Sequence, residues 1–384
     1  MNRNCMNRRS FLKLSSVAAA AATVGGAALA RGDETQLAEE VERDVAYRTL
    51  GRTGLKVSVI GYGAMRTSEA AVIRAAFDRG VNWLDTARGY MGGKNEQICA
   101  EALKGYRDKV YVTTKTHAHS KSAIFREAEE SLRSLQTDHV DLYLLHSVDK
   151  PAELANEEAR EALAQLRKDG KVRFLGVSTH AAVEVLDAVA QDKDKLFDVV
   201  LVRYNFKSPK AVKEAIARAA AAGVGIVAMK TQAGGYKTKE LGDISPHQAA
   251  LKWVLQDTNV STAIPAMVDL QQVEEDTAVM AMMDITKADR QILSRYGAAI
   301  APFYCIGCRE CRPTCPRGVD IPAINRCLMY AEGYGDIELA RTTYAQLPVP
   351  LTAATCADCP ECVADCPNGL RIAHKMRQAM TMLV

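Results

Sequence analysis

The sequence predicts an α/β protein, a (β/α)8 TIM barrel followed by a smaller α-helical domain. Short apolar segments alternate with amphipathic segments of helix length from Tyr47 to Ile300. Eight such repeats favour a closed barrel, with an open doubly wound sheet as the alternative. No Gly-x-Gly-x-x-Gly opens a helix after the first strand, which counts against the open sheet. Eight of the 11 cysteines form two spaced clusters between Cys305 and Cys366, which indicates a separate segment with its own use for thiols.

Composition places the chain among ordinary globular proteins. Its 384 residues are 48% hydrophobic and 25% charged, with a net charge of +3. This length suffices for one large domain and one smaller domain. The charge is nearly balanced and basic runs are confined to the N-terminus, so nucleic acid is not an expected partner.

Residues 1–30 read as a signal peptide. A basic start containing Arg8 and Arg9 leads into an Ala-rich apolar run from Val17 to Ala30. The run is shorter than the roughly 20 residues that cross a bilayer, so we expect no membrane span in the mature chain. The arginine pair before Ser-Phe-Leu-Lys resembles a twin-arginine signal, which implies a periplasmic or otherwise exported protein. A disordered basic tail or an uncleaved anchor is the alternative, and residues 31–46 read as a polar linker.

The barrel is expected over residues 47–300, after a hairpin signal at Tyr47–Ser58. The strands expected from apolar runs are Val57–Gly61, Val81–Leu84, Val110–Thr114, Val140–Leu145, Arg173–Val177, Val199–Val202, Gly225–Met229 and Ser261–Ile264. The helices expected between them are Glu69–Asp78, Glu96–Leu103, Ser122–Leu135, Ala152–Arg167, Ala181–Val189, Ala211–Ala222, Pro246–Leu255 and Gln271–Met280.

Four polar residues stand at or just beyond the carboxyl ends of predicted strands: Asp85, Tyr90, Lys115 and His146. The carboxyl ends of parallel strands open at one mouth of a barrel, so these side chains are expected to meet there. Each one alone is more often a helix cap, a surface lysine or a packed histidine. All four in this order favour a catalytic site.

Several segments in sequence order resemble the aldo-keto reductases: Leu84-Asp-Thr-Ala-Arg-Gly-Tyr90, Thr114-Lys115, Leu145-His146-Ser147, Gly176-Val-Ser178 and Ile264-Pro265. The resemblance implies reduction of a small-molecule carbonyl, or oxidation of an alcohol, with a nicotinamide cofactor. Tyr90 would donate the proton, although a phenol with a pKa near 10 is a weak acid at neutral pH. Lys115 would lower that pKa, Asp85 would hold the lysine charged, and His146 would orient the carbonyl oxygen.

The resemblance also implies residues that hold the cofactor. Ser178 would contact the nicotinamide amide, and Thr179 stands where the family usually has Asn. Met229 stands where an aromatic ring often stacks on the nicotinamide, and Lys230 is a candidate contact for the phosphates. The segment after Ile264 lacks the cation that usually holds a 2′-phosphate, so either NAD or NADP is expected, without a preference for NADP.

Eight of the nine cysteines beyond residue 300 form two copies of Cys-x2-Cys-x2-Cys-x3-Cys-Pro. They start at Cys305 and Cys356. This run resembles two-cluster ferredoxins, in which the fourth cysteine of each copy ligates the other cluster. The resemblance implies one 4Fe-4S cluster on Cys305, Cys308, Cys311 and Cys366, and a second on Cys356, Cys359, Cys362 and Cys315.

Two other uses of these thiols were weighed. Zinc usually takes two Cys-x2-Cys pairs and leaves the third cysteine and the proline unexplained. Disulfides suit an exported chain, but cysteines spaced this closely cannot all pair without strain. The insert between the copies has helical patterns at Ile321–Tyr330 and Ile337–Ala345, so residues 301–384 are expected to form a helical ferredoxin-like domain. Cys99 and Cys327 are expected to be packed thiols.

Taken together, the resemblances imply an exported oxidoreductase of the aldo-keto reductase type that is coupled to iron–sulfur electron transfer. They leave room for a redox partner protein. An alternative is an electron-transfer or docking protein whose barrel is a scaffold without turnover. A third interpretation is a hydride–electron converter, in which the clusters oxidise or reduce a tightly bound nicotinamide.

Overall fold

A computed structural model describes residues 45–237, 241 and 244–384. The predicted signal peptide, with Arg8 and Arg9, and all but the last two residues of the predicted linker lie outside the described residues. Arg43–Val384 forms one compact unit, which therefore contains both the barrel and the cysteine-rich segment.

The described chain contains ten strands and thirteen α-helices. The strands are β1 (Tyr47–Thr49), β2 (Lys56–Ser58), β3 (Tyr62–Gly63), β4 (Trp83–Asp85), β5 (Tyr111–Thr116), β6 (Val140–Leu145), β7 (Val172–Thr179), β8 (Val199–Arg203), β9 (Gly225–Met229) and β10 (Thr262–Ala263). The helices are α1 (Ala70–Phe77), α2 (Lys94–Leu103), α3 (Lys121–Leu135), α4 (Pro151–Leu154), α5 (Glu157–Lys168), α6 (Ala182–Ala190), α7 (Lys210–Ala221), α8 (Pro246–Leu255), α9 (Leu270–Thr277), α10 (Lys287–Ile300), α11 (Ile321–Glu332), α12 (Ile337–Ala345) and α13 (Ile372–Met382).

Strands β3 to β10 form the predicted parallel sheet, in which each strand pairs with the next in sequence. The sheet closes on itself between its first and last strands. The backbone nitrogen of Ala263 donates to the Val59 carbonyl oxygen at 2.9 Å, and its carbonyl oxygen accepts from Gly61 at 2.8 Å. The closed (β/α)8 barrel is therefore confirmed.

The first barrel strand lies further along the chain than predicted. Val57 and Ser58 pair with Arg48 and Tyr47 in an antiparallel hairpin, β1–β2, below the barrel. Pairing with β4 begins only at Tyr62. The predicted strand Val57–Gly61 was wrong in its bounds because one apolar run serves two pairings, the hairpin and the barrel closure.

Most predicted helices are present, with two corrections. The predicted helix Ala152–Arg167 is two helices, α4 and α5, because the Asn156 side chain caps a new start by accepting from the Ala159 backbone nitrogen at 3.1 Å. The predicted helix Gln271–Met280 ends at Thr277 and continues as a 3₁₀ helix.

The cysteine-rich segment packs against the barrel through an apolar core of its own. Ile324 and Leu328 of α11 belong to this core together with Tyr296 and Ile300 of α10. Ala233, from the loop after β9, belongs to it as well. The core therefore lies at the carboxyl ends of the barrel strands, which is where a TIM barrel carries its site. Among the described helices, none has the length and apolar character needed to cross a bilayer.

Candidate active site and cysteine clusters

The four polar residues predicted at strand ends meet at the barrel mouth. Lys115, on β5, donates from Nζ to Asp85 Oδ1 at 2.7 Å and to the Thr86 carbonyl oxygen at 2.6 Å. Its third contact is the Tyr90 hydroxyl at 3.3 Å. Lys115 is only 1% exposed, so all three ammonium hydrogens are directed inside the protein.

His146 completes the group beside the tyrosine. Its ring lies edge-on to the Tyr90 ring, with 5.6 Å between centroids. His117 stacks on the other side of His146 at 4.2 Å. Among the described residues, the buried Nδ1 of His146 has no hydrogen-bond partner. The histidine is therefore fixed by ring contacts, which leaves its polar atoms for a ligand.

The loop that carries Tyr90 is tied to β5. Arg88 pairs with Glu96, and Glu96 Oε1 also accepts from Thr114 Oγ1 at 2.7 Å. Gly93, with φ of 92°, adopts a left-handed conformation, and a Cβ at this position would lie 1.7 Å from the Arg88 guanidinium. The glycine thus allows the arginine to cross the loop and hold Tyr90 over the mouth.

Burial sets the protonation states at the mouth. It raises the pKa of Tyr90 well above its ordinary value, and the Asp85 carboxylate raises that pKa further. The lowering of this pKa expected from Lys115 is not the net effect, because burial is the largest cause of the shift and raises the pKa. Burial also raises the pKa of Asp85 and lowers that of Lys115, and the ion pair between them opposes both shifts. Tyr90 is therefore a protonated phenol at neutral pH.

A cleft of about 300 Å³ runs from these residues across the mouth. Asp85 and Tyr90 line this cleft, and so do Asp269 and Gln272 at the start of α9. Backbone N–H groups at a helix start are suited to phosphate. The cleft therefore fits an elongated molecule with a reactive end at Tyr90 and an anionic group near α9, as a nicotinamide dinucleotide has.

The predicted cofactor contacts divide into two pairs. Met229 and Lys230 line the cleft. Ser178 and Thr179 are buried, and their hydroxyl oxygens accept from the backbone nitrogens of Ser147 at 2.8 Å and Ala181 at 2.9 Å. The hydroxyls of Ser178 and Thr179 thus serve the adjoining loops, and neither residue lines the cleft.

The end of the cleft near α9 is acidic. Asp269, Glu275 and Asp276 all line it. Asp276 accepts from Gln232 Nε2 at 2.8 Å, and burial, followed by the Glu275 charge, raises the pKa of Asp276 well above its usual range. A neutral Asp276 reduces repulsion of a diphosphate, but within the described part of the chain α9 offers no lysine or arginine to a 2′-phosphate.

The cysteines lie in the two crossed sets that the resemblance to two-cluster ferredoxins implied. One cavity is lined by Cys305, Cys308, Cys311 and Cys366. Cys356 has as its charged neighbours Cys359, Cys362 and Cys315. In the described ranges no three His, Cys, Asp or Glu side chains converge on one ion position, and the four thiols of the first set lie around a cavity. This arrangement fits a cubane cluster, whose corners each take one thiolate.

Nearby donors and packing distinguish the ligand thiols from the others. The Gly307 backbone nitrogen donates to Cys305 Sγ at 3.3 Å, and Asn368 Nδ2 lies 3.6 Å from Cys308 Sγ. All ten described cysteines carry free thiols. Cys99 and Cys327 are fully buried, and burial raises their pKa values to about 12 and about 11. Both are packed thiols, as predicted.

Comparison with known proteins identifies these parts. The model of the aldo/keto reductase family matches residues 59–242. The uncharacterized oxidoreductase YrpG of Bacillus subtilis is 30% identical over 220 residues, covering 49% of this chain and 67% of that protein. The chain belongs to the aldo/keto reductase family. It is an oxidoreductase, and it also carries a 4Fe-4S dicluster domain at 303–371 and a twin-arginine translocation signal at 5–25.

Other relatives support the same family assignment. Aldo-keto reductase YhdN of Bacillus subtilis is 34% identical over 165 residues, covering 37% of this chain and about half, 49%, of that protein. A solved aldo-keto reductase from Klebsiella pneumoniae, in complex with NADPH, has a TM-score of 0.57 and 26% identity. The structural alignment covers 66% of this chain and 95% of the Klebsiella protein.

Several residues at this aldo/keto reductase mouth were missed from the sequence. The Arg66 guanidinium lies 4.4 Å from the centre of the Tyr334 ring, and both residues line the cleft. Arg203 donates to the Ile306 carbonyl oxygen, next to Cys305. Arg326 is the one charged residue of α11 before its last residue, Glu332, and this was the one available signal.

Proposed function

We propose that this protein is an exported aldo/keto reductase whose barrel uses a nicotinamide dinucleotide and exchanges electrons with two 4Fe-4S clusters. The proposal rests on one observation: the cysteine-rich domain covers part of the barrel mouth. Tyr334 of that domain lines the cleft together with Asp85 and Tyr90. Cys305 lines a second cavity together with His180 and Lys230 of the barrel. The site and one cluster loop therefore adjoin each other, because Lys230 lines both cavities.

The catalytic roles follow from the contacts. Tyr90, kept protonated by burial, donates its proton to the carbonyl oxygen as hydride reaches the carbonyl carbon. Lys115 stabilises the phenolate that is left, and Asp85 holds the lysine in place. His146, with a free ring nitrogen, orients the carbonyl. In the reverse direction the same residues accept the proton of an alcohol.

The cleft residues would hold the dinucleotide. Met229 and Lys230 lie beside the reactive end, and the backbone at the start of α9 faces the phosphates. When bound, the nicotinamide supplies or accepts hydride. The structural relative in complex with NADPH supports a dinucleotide in this barrel. Asp269 and Glu275 disfavour a 2′-phosphate here, so we expect NADP to bind no better than NAD.

The two crossed thiol sets would hold the clusters. Cys305, Cys308, Cys311 and Cys366 would ligate the cluster nearer the barrel, and Cys315 would join Cys356, Cys359 and Cys362 at the other. When bound, each cluster carries one electron, so the pair matches the two electrons of one hydride. The twin-arginine signal supports export to the periplasm after the clusters are assembled in the cytoplasm.

Anaerobic protein tests this proposal in two measurements. Denaturing it should release a nicotinamide dinucleotide, and adding NADH should bleach the cluster absorbance. A Tyr90→Phe variant should still bleach on NADH, because no carbonyl is protonated in that step. The same variant should reduce carbonyls roughly 10²- to 10⁴-fold more slowly.

Tyr111→Phe is the matched control. Tyr111 is the first residue of β5, whereas Lys115 lies near the other end of the strand, at the barrel mouth. It should leave both the bleaching and the carbonyl reduction unchanged. Protein that releases no nucleotide, binds neither NADH nor NADPH and shows no bleaching would refute the coupled reductase. That result would favour a barrel that only holds the electron-transfer domain.

A further inference from the structure

The second cavity lies where the barrel mouth meets α11. It measures about 40 Å³. His180, Arg203 and Lys230 line it from the barrel, and Asn325 and Arg326 line it from α11. Lys230 also lines the cleft that contains Tyr90, so the cavity adjoins the proposed reaction site. A space of this size accommodates a small polar group together with water.

The carboxylates around this cavity are already paired. Asp149 lies 3.6 Å from Arg309, and Asp320 lies 3.9 Å from Arg312. These four side chains therefore balance one another.

The remaining cations of the cavity form no ion pair in the part of the chain that the structure describes, although the Arg326 charge acts to lower the pKa of Asp149. Lys230 Nζ donates to the neutral Tyr330 hydroxyl at 3.0 Å, and Arg203 donates to a backbone carbonyl beside Cys305. Arg326 has neither a hydrogen bond nor an ion pair within the described ranges. If Arg203 offsets the charge of a cluster at Cys305, Lys230 and Arg326 remain available for a ligand.

The pKa values of two histidines reflect the same excess of positive charge. Burial lowers the pKa of His180 well below its ordinary value, and Arg326, Lys230 and Arg203 lower it further. Burial also lowers the pKa of His146, and Arg326 and Lys230 are among the charges that add to the shift. The charge of Arg326 is therefore felt at the catalytic histidine, His146. These cations are half-buried and form no ion pair, which favours a site that a ligand's charge completes.

We propose that Arg326, supplied by the iron–sulfur domain, together with Lys230, binds a carboxylate of the substrate and makes this enzyme selective for carbonyl compounds that carry an acid group. The inference rests on the proposed reductase function and names its substrate class. A guanidinium presents two parallel donors that match the two oxygens of a carboxylate. The small cavity favours a carboxylate over a bulkier phosphate ester.

The test compares matched aldehydes with the anaerobic holoenzyme. 4-Carboxybenzaldehyde should be reduced with a higher kcat/KM than benzaldehyde. Arg326→Gln should raise KM for the acid roughly 10- to 100-fold, as expected for loss of a charge-assisted hydrogen bond, and leave benzaldehyde unchanged. Arg326→Lys should recover part of the affinity. Arg377→Gln, an exposed arginine on α13, is the matched control and should alter neither substrate.

A binding measurement separates this inference from the reductase proposal. Calorimetric titration with the alcohol 4-(hydroxymethyl)benzoate needs no turnover. Binding that survives Tyr90→Phe and is lost in Arg326→Gln, at unchanged iron content, would support the carboxylate site even in a barrel without activity. Equal kcat/KM for the two aldehydes, an equal effect of Arg326→Gln on both, or a preference for 4-formylphenyl phosphate over the carboxylate would each overturn it.

Discussion

Lys115 is the residue on which the charge of the barrel mouth depends. It is almost fully buried and its nearest charged partner, Asp85, is buried as well. A buried ion pair adds little net stability compared with apolar packing, but removing one partner leaves an uncompensated charge. The ion pair is therefore better explained by function than by stability. Breaking it should lower the free energy of unfolding.

We expect Lys115→Met to destabilise the barrel by about 3–5 kcal/mol near neutral pH. Burial already raises the pKa of Asp85, and loss of the lysine raises it further, since Lys115 is the group that lowers it. The protonated form of Asp85 is then the one that the fold tolerates. The loss should thus be small at pH values below about 4, the unfolded pKa, and grow as pH rises through the folded pKa.

Denaturant unfolding followed by tryptophan fluorescence would measure this, because Trp83 lies in the barrel core on β4. Adding Asp85→Asn to Lys115→Met should remove most of the pH dependence. Lys168→Met, at an exposed position, should cost almost nothing at any pH. A destabilisation of Lys115→Met that stays constant with pH would contradict a charged Asp85 in the native pair.

The residues at the mouth show what sequence can and cannot reveal. The positions of Asp85, Tyr90, Lys115 and His146 at strand ends were enough to predict that they meet, because parallel strands share one mouth. The direction of the Tyr90 pKa shift was not predictable. It depends on burial that α11 and the loop after it complete, and a residue distant in sequence cannot be placed by local pattern.

At the scale of elements, periodicity predicted the repeated strands and helices, and tertiary pairing decided their ends. Val57 and Ser58 fit a barrel strand by composition but pair with the hairpin, since an apolar run does not specify its partner. Helix α10, Lys287–Ile300, was not predicted although its capping box at Thr286 and Asp289 is readable in sequence. It supplies the surface on which the cysteine-rich domain packs.

The crossed thiol sets give a prediction about the cysteine loops. Cys366→Ser should remove the cluster nearer the barrel and lower the iron content from about eight to about four per chain. The second set should be retained, because Cys315 and its three partners are untouched. Iron and acid-labile sulfide analysis of anaerobic protein measures the change.

Cys327→Ser is the matched control for this variant. Its thiol is fully buried on α11 and belongs to neither set, so the iron content should stay at about eight. Equal loss of iron in both variants would show that folding of the domain, and not ligation by Cys366, limits cluster content.

At the scale of the whole molecule, the second domain completes the barrel's site. Tyr334 and Tyr330 stack at 5.5 Å, and Lys230 of the barrel lies over both rings. Arg66 donates to the Tyr334 carbonyl oxygen at 3.0 Å. A barrel whose iron–sulfur domain has not folded would lack this wall, so we expect the domain to be assembled before the proposed export.

The last prediction concerns that order. A twin-arginine receptor reads the arginine pair, so Arg8→Lys combined with Arg9→Lys should hold the precursor in the cytoplasm. The retained precursor should contain its full iron, since the cysteines and the barrel are unchanged and the clusters are made in a reducing compartment. Arg3→Lys, outside the pair, should be exported like the parent. Fractionation, immunoblotting and iron analysis of each fraction measure both properties. Export of the double variant at the parental level would show that a different secretory route handles this chain.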